Sequence, residues 1–282
     1  LPDETSAGDE GVLGDDDGVP DAEGVRIGVP RLPRISNFTD LEPLAREPGV
    51  RVVYLPLDGG LDGVDAVVLP GSKNTVDDLL ALREAGFDAA LRAFDGPVVG
   101  VCGGYQLLGE RLVDAHVEGV GDRDTVRGVG LLPVETRFST DKRVERVTRR
   151  VDGVGPIAGA EGHATGYEIH AGRTRLVGGG SDDEDADEAT GGGLTTEPLG
   201  AESVATERAL GTYLHGLFET ESVRDAFVEA AFASAGRERP TAASTRRSPY
   251  DRAADLVGEH VDLTAVGLGD SVEPGGSSGP SP

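Results

Sequence analysis

The 282-residue sequence contains no methionine, no tryptophan and a single cysteine, Cys102. One cysteine excludes an internal disulfide framework and any zinc cluster built on several thiolates. Lysine occurs only as Lys73 and Lys142, and the other basic residues are arginine. Acidic residues number 51 against 26 basic ones, for a formal net charge of −25. That charge repels a phosphate backbone and excludes nonspecific nucleic-acid binding. Acidic excess with so little lysine fits a protein kept soluble in concentrated salt, where self-repulsion is screened over about 3 Å. No apolar run approaches the roughly 20 residues of a membrane span. No basic region followed by an apolar stretch opens the sequence, which therefore reads as cytoplasmic and without a secretory signal. The first residue is Leu1 rather than methionine, as expected for a piece of a longer protein. No GxxxxGK[ST] stretch occurs, which excludes a Walker A phosphate loop.

What is present alternates. Residues 1–23 are acidic and glycine-rich and read as a disordered linker, and a domain is expected over 24–265. Apolar runs at Val25–Val29, Val50–Leu57, Asp65–Leu69 and Pro97–Val101 read as strands, the last two buried. Helical spacing appears near Asp40–Arg46, at Thr75–Leu82 with Thr75 as the cap, and at Tyr105–Leu112. Strands and helices in this rhythm predict an α/β fold, a mostly parallel central sheet flanked by helices. Beyond Asp114, Gly128–Leu132 and Gly166–His170 read as strands of a mixed-sheet extension. Residues 178–193 form a low-complexity acidic loop. A strand at Gly211–His215 and a helix at about Glu221–Ala235 follow. A last short helix is expected at 249–263, and 266–282 read as a flexible tail.

Chemistry concentrates in a few stretches. A lone cysteine in apolar sequence is commonly an inert packed side chain. In GVCGGYQLLG, however, Cys102 follows a buried strand, precedes a helix and is flanked by Gly100, Gly103 and Gly104. Those glycines permit the sharp strand-to-helix turn that displays a nucleophile, and the helix N-terminus favours its thiolate. Such a thiol needs a base. His215 and His170 each end a strand-like run, and spacing alone does not separate them; His116, His163 and His260 read as surface residues. The turn LPGSKNT, Leu69–Thr75, also joins a strand to a helix, so its backbone N–H groups can face an anion.

Together, RLPRISNFTDLEPL (31–44), LPGSKNT (69–75), GVCGGYQLLG (100–109), GYEIHAGRT (166–174) and GTYLHGLFE (211–219) resemble the glutamine amidotransferase domains of cobyric acid synthases, which serve cobalamin biosynthesis. GVCGGYQ alone marks the broader class I amidotransferases, of flavodoxin-like fold. The first two motifs favour this family over cobyrinic acid a,c-diamide synthase and over ligases that amidate cell-wall precursors. The resemblance implies that Cys102 attacks the amide of L-glutamine and that His215 acts as base and then acid. It further implies an oxyanion hole from the backbone of Gly71 or Ser72 and of Gly103. Gln106 is implied to bind glutamine, with Tyr167, Glu168 and His170 beside the site. No metal or cofactor is implied for this domain; ATP and Mg2+ belong to an N-terminal synthetase domain, which activates the corrinoid carboxylate. Many class I enzymes carry an acid two residues after the histidine. Here that position is Leu217 and the next acid is Glu219, so what orients His215 stays open. The contrasting reading is a noncatalytic α/β interaction module with a structural Cys102.

Overall fold

The computed structural model describes residues 12–13, 19–119, 121–177, 195–200 and 202–240. The acidic loop 178–193, the helix expected at 249–263 and the tail 266–282 lie outside the described residues.

The chain opens with β1 (Val12–Leu13), β2 (Val25–Pro30) and β3 (Ile35–Ser36), then a 3-10 turn at Phe38–Leu41 and α1 (Glu42–Ala45). β4 (Val50–Leu55), β5 (Ala66–Leu69), β6 (Gly71–Ser72), α2 (Thr75–Glu84) and α3 (Phe87–Ala93) follow. Next come β7 (Val98–Val101), α4 (Gly103–Leu108), β8 (Arg111–Val113), β9 (Thr125–Arg127) and the long pair β10 (Val134–Asp152) and β11 (Glu161–Leu176). The described chain closes with β12 (Thr195–Thr196), β13 (Val204–Ala205), β14 (Ala209–Thr212) and α5 (Glu221–Ser234).

The main sheet runs β1-β4-β2-β5-β7-β14-β13-β12. Its five inner strands, β4, β2, β5, β7 and β14, are mutually parallel, in the doubly wound order 2-1-3-4-5. β5 and β7 are buried along their whole length. This is why they read as continuous apolar runs rather than alternating ones. Each fully buried Val or Leu there contributes about 1.5–3 kcal/mol. The edges are antiparallel: β1 on β4, and β13 and β12 beyond β14. Within the stretch read as a linker, β1 therefore adds an edge strand, and Val19 and Asp21 take hydrogen bonds from the buried Arg51.

The extension is a separate mixed sheet, β11-β10-β8-β9, in which β8 runs parallel to β10 and the other pairs are antiparallel. Three local expectations need correction. The helix after Cys102 starts at Gly103 and ends at Leu108, and Arg111–Val113 is a strand. Gly128–Leu132 is not a strand. Its N–H groups turn back onto the carbonyls of Leu107, Leu108, Gly109 and Glu110, satisfying acceptors that the end of α4 leaves unpaired. The cap of α2 is Asn74, which accepts from the Asp77 N–H at 3.0 Å, and Thr75 sits inside the helix.

Candidate active site

Parallel pairing of β7 with β14 brings their carboxyl ends to one edge, with Val101 opposite Thr212. Cys102 is the next residue after β7, and its N–H donates to the Thr212 carbonyl at 2.8 Å. Its backbone has φ 54° and ψ −111°, a strained conformation for a side chain bearing a Cβ. Gly104 makes the turn possible: a Cβ there would lie 2.0 Å from the Leu69 carbonyl oxygen. The Cys102 side chain is 9% exposed, and its thiol donates to the Ile169 carbonyl at 3.2 Å.

His215 follows β14 by three residues and is fully buried. Backbone hydrogen bonds with Tyr167 fix it in both directions. Burial alone would push its imidazole below the ordinary value, but hydrogen bonds and charge from Asp40 and Cys102 raise it to about 9. Cys102 thus faces the imidazole closely enough to influence its charge. Asn37 Nδ2 lies 3.0 Å from each ring nitrogen. His215 Nδ1 donates to Asp40 Oδ2 at 2.7 Å, and Asp40 Oδ1 accepts the Gly216 N–H at 3.0 Å.

Asp40 is the residue that sequence reasoning missed. It lies 175 positions from His215, so no local spacing announces it; its only signal was membership of RISNFTD. A web of contacts fixes that segment. β3 pairs with β6, and the Arg34 N–H donates to both oxygens of Asp78. Ser72 Oγ donates to the same carboxylate at 2.6 Å. Asp78 is fully buried, and desolvation raises its carboxyl above the ordinary range despite these donors and the Arg34 charge.

Gly71 and Ser72 lie beside the pair. A Cβ at Gly71 would be 3.5 Å from His215 Cε1, and one at Gly103 would be 2.7 Å from the Ser72 nitrogen. The Lys73 N–H bonds the Arg34 carbonyl, so antiparallel alternation turns the Ser72 N–H away from β3, towards Gly103. Gly103 opens α4, where N–H groups lack helical partners. Ser72 and Gly103 are thus packed against each other next to Cys102.

The other expected residues sit nearby with different partners. The Gln106 side chain accepts from Thr75 Oγ1 at 2.9 Å and donates to the Tyr213 hydroxyl at 3.2 Å. That hydroxyl, whose ionisation burial pushes far above the ordinary value, meets Thr174 Oγ1 at 2.6 Å. Tyr167 stacks on His215 with ring centroids 5.0 Å apart. Glu168 accepts two hydrogen bonds from Arg149, at 3.0 and 2.7 Å. His170 stacks on Tyr213 at 3.7 Å, whereas Tyr167 takes the face of His215. Its Nδ1 lies 2.6 Å from the Gly172 carbonyl, which can only accept, so Nδ1 carries a proton. Its Nε2 is buried without a hydrogen-bond partner among the described residues.

Fold and site define a flavodoxin-like α/β domain with a strained cysteine elbow and a histidine at the sheet's carboxyl edge. The chain belongs to the CobB/CobQ-like glutamine amidotransferase domain family, whose model matches residues 26–223. It is 56% identical over 259 residues to a probable cobyric acid synthase of Halobacterium salinarum, covering 91% of this chain and 48% of that protein. A cobyric acid synthase of Chloroflexus aggregans is 42% identical over 254 residues, covering 87% of this chain and 48% of that protein. The chain thus spans about half the length of the curated relatives it matches. Among solved structures, PurLQS from Thermotoga maritima is similar at 19% identity and a TM-score of 0.49, covering 75% of this chain and 97% of that one. No helix among the described residues is long and apolar enough to cross a membrane.

Proposed function

We propose that the chain hydrolyses L-glutamine to glutamate and ammonia through a thioester on Cys102. The observation that carries this reading is the Cys102 elbow, at φ 54°, on the sheet edge that also carries His215. His215 Nε2 takes the thiol proton as Sγ bonds to the glutamine amide carbon. The oxyanion that forms accepts from the Ser72 and Gly103 N–H groups. His215 returns the proton to the departing nitrogen, ammonia leaves, and the γ-glutamyl thioester remains. Water, deprotonated by His215, then attacks the thioester carbon; glutamate leaves and the thiol is restored. Gln106, Tyr167 and His170 line the glutamine side of the site, and Glu168 braces their strand through Arg149.

The ammonia serves an ATP- and Mg2+-dependent synthetase half, which amidates peripheral carboxylates of adenosylcobyrinic a,c-diamide. The reading is supported by the similarity to cobyric acid synthases, of whose length this chain spans about half. It is tested by combining the chain with an ATP-binding half from such a relative and supplying glutamine labelled in its amide nitrogen. The label enters the corrinoid with the native chain. With Cys102→Ser it does not, whereas free ammonium still supports amidation. Label transfer by the Cys102→Ser chain would overturn the assignment. The acidic composition points to work in concentrated salt. Circular dichroism that gains order in molar KCl supports this, and indifference to salt contradicts it.

A further inference from the structure

The catalytic pair lacks the acid that many enzymes of this chemistry carry two residues after the histidine, since Leu217 fills that place and is buried. Glu219, the next acid in sequence, is exposed, in a 3-10 turn beyond Gly216. We infer that Asp40, carried by the 3-10 turn after β3, is the positioning residue of His215 and so completes a cysteine–histidine–aspartate triad across 175 residues of sequence.

Three features carry the inference. Asp40 Oδ2 takes the Nδ1 proton at 2.7 Å, leaving Nε2 as the nitrogen that exchanges a proton with Cys102. Oδ1 takes the Gly216 N–H at 3.0 Å, so one carboxylate fixes both the ring and the backbone that carries it. The Asp40 side chain is 10% exposed, a setting in which its charge is weakly screened. Its neighbour Asn37, at φ 55°, holds the ring from the same turn. The titratable groups facing the imidazole are Asp40 from the 3-10 turn, Cys102 from the elbow and Tyr167 from β11. Of these only Asp40 is a carboxylic acid, and together with Cys102 it accounts for the raised imidazole.

The role rests on the glutaminase reading, but its test is readable without it. Asp40→Asn preserves the size of the side chain while removing its charge. Its amide can also donate to Nδ1, which would put the ring proton on Nε2 and block proton uptake from the thiol. Two measurements on the full chain report the effect directly: the His215 ring titration by NMR, and the pH profile of Cys102 alkylation by iodoacetamide. In Asp40→Asn the ring should titrate at lower pH and alkylation should need higher pH. Glutamine hydrolysis should fall by about 10²-fold or more, carried by kcat with KM within about threefold. Asp40→Glu should recover part of the loss, and Glu219→Gln should match the native chain. An Asp40→Asn chain with unchanged ring titration and unchanged alkylation profile overturns the inference. A native chain that alkylates as described but neither hydrolyses glutamine nor reacts with a glutamine analogue would instead overturn the glutaminase reading.

Discussion

Tyr167 and His215 are joined twice, by stacked rings 5.0 Å apart at 19° and by two backbone hydrogen bonds, Tyr167 N–H to His215 O at 3.3 Å and His215 N–H to Tyr167 O at 2.9 Å. The β11 strand therefore covers His215 at the carboxyl edge of the main sheet. Such aromatic contacts contribute about 0.5–1.5 kcal/mol. Tyr167→Ala should lower kcat/KM for glutamine hydrolysis by roughly 3- to 10-fold. Tyr167→Phe, which keeps the ring, should stay near the native value. A steady-state assay of both variants checks this, and a Phe variant as impaired as the Ala variant would assign the effect to the hydroxyl.

The two histidines that spacing left equal have distinct surroundings. His215 meets Cys102 and Asp40, whereas His170 meets Tyr213 and Gly172. His215→Ala should abolish thioester turnover, a loss of at least about 10³-fold in kcat. His170→Ala should chiefly raise KM, because the ring packs on Tyr213 beside the site and does not meet Cys102 or Asp40. Equal and complete loss of kcat in both variants would show that this division of roles is wrong.

Backbone crowding beneath the elbow makes a stability prediction. A Cβ at Gly104 would sit 2.0 Å from the Leu69 carbonyl oxygen, and a backbone group on a central strand has nowhere to move. Gly104→Ala should cost about 3 kcal/mol or more, read as a lower midpoint in urea unfolding at unchanged slope. A midpoint within error of the native one would contradict the packing of α4 on β5.

Burial pushes the Glu118 carboxyl up to about 6, with the charges of Asp78 and Asp77 adding to it and hydrogen bonds from Thr75 opposing. The folded state therefore holds this proton more tightly than the unfolded chain. Glu118 stabilises the fold below its unfolded value, and that contribution is lost as pH rises through about 6. Glu118→Gln should consequently gain on the native chain as pH rises, by about 1 kcal/mol between mildly acid and neutral conditions. Thermal unfolding at several pH values checks this; a stability difference that is flat with pH would contradict it.

The parallel core was legible because its strands are buried on both faces, so Ala66–Leu69 and Val98–Val101 stand out as unbroken apolar runs. The elbow was legible because glycines at 100, 103 and 104 surround one cysteine. Of the long hairpin β10–β11, only Gly166–His170 was legible. Its middle, Ser139–Arg146, is largely exposed, and a strand with little burial shows no alternation to read. Gly128–Leu132 looked like a strand because its apolar residues are buried, but they serve to close the end of α4. Asp40 was invisible for another reason. Its partner lies 175 positions away in sequence, and the β3–β6 pairing and the Asp78 contacts help to bring the two together.

The central claim is that Cys102 is the nucleophile of a glutamine-hydrolysing site. The most direct measurement is mass spectrometry of the chain after exposure to 6-diazo-5-oxonorleucine, a diazoketone analogue of glutamine. The account predicts one adduct, on Cys102, that is suppressed by excess glutamine and absent from Cys102→Ala. A folded chain with no adduct even beside its ATP-binding half, or labelling that glutamine leaves untouched, would contradict it.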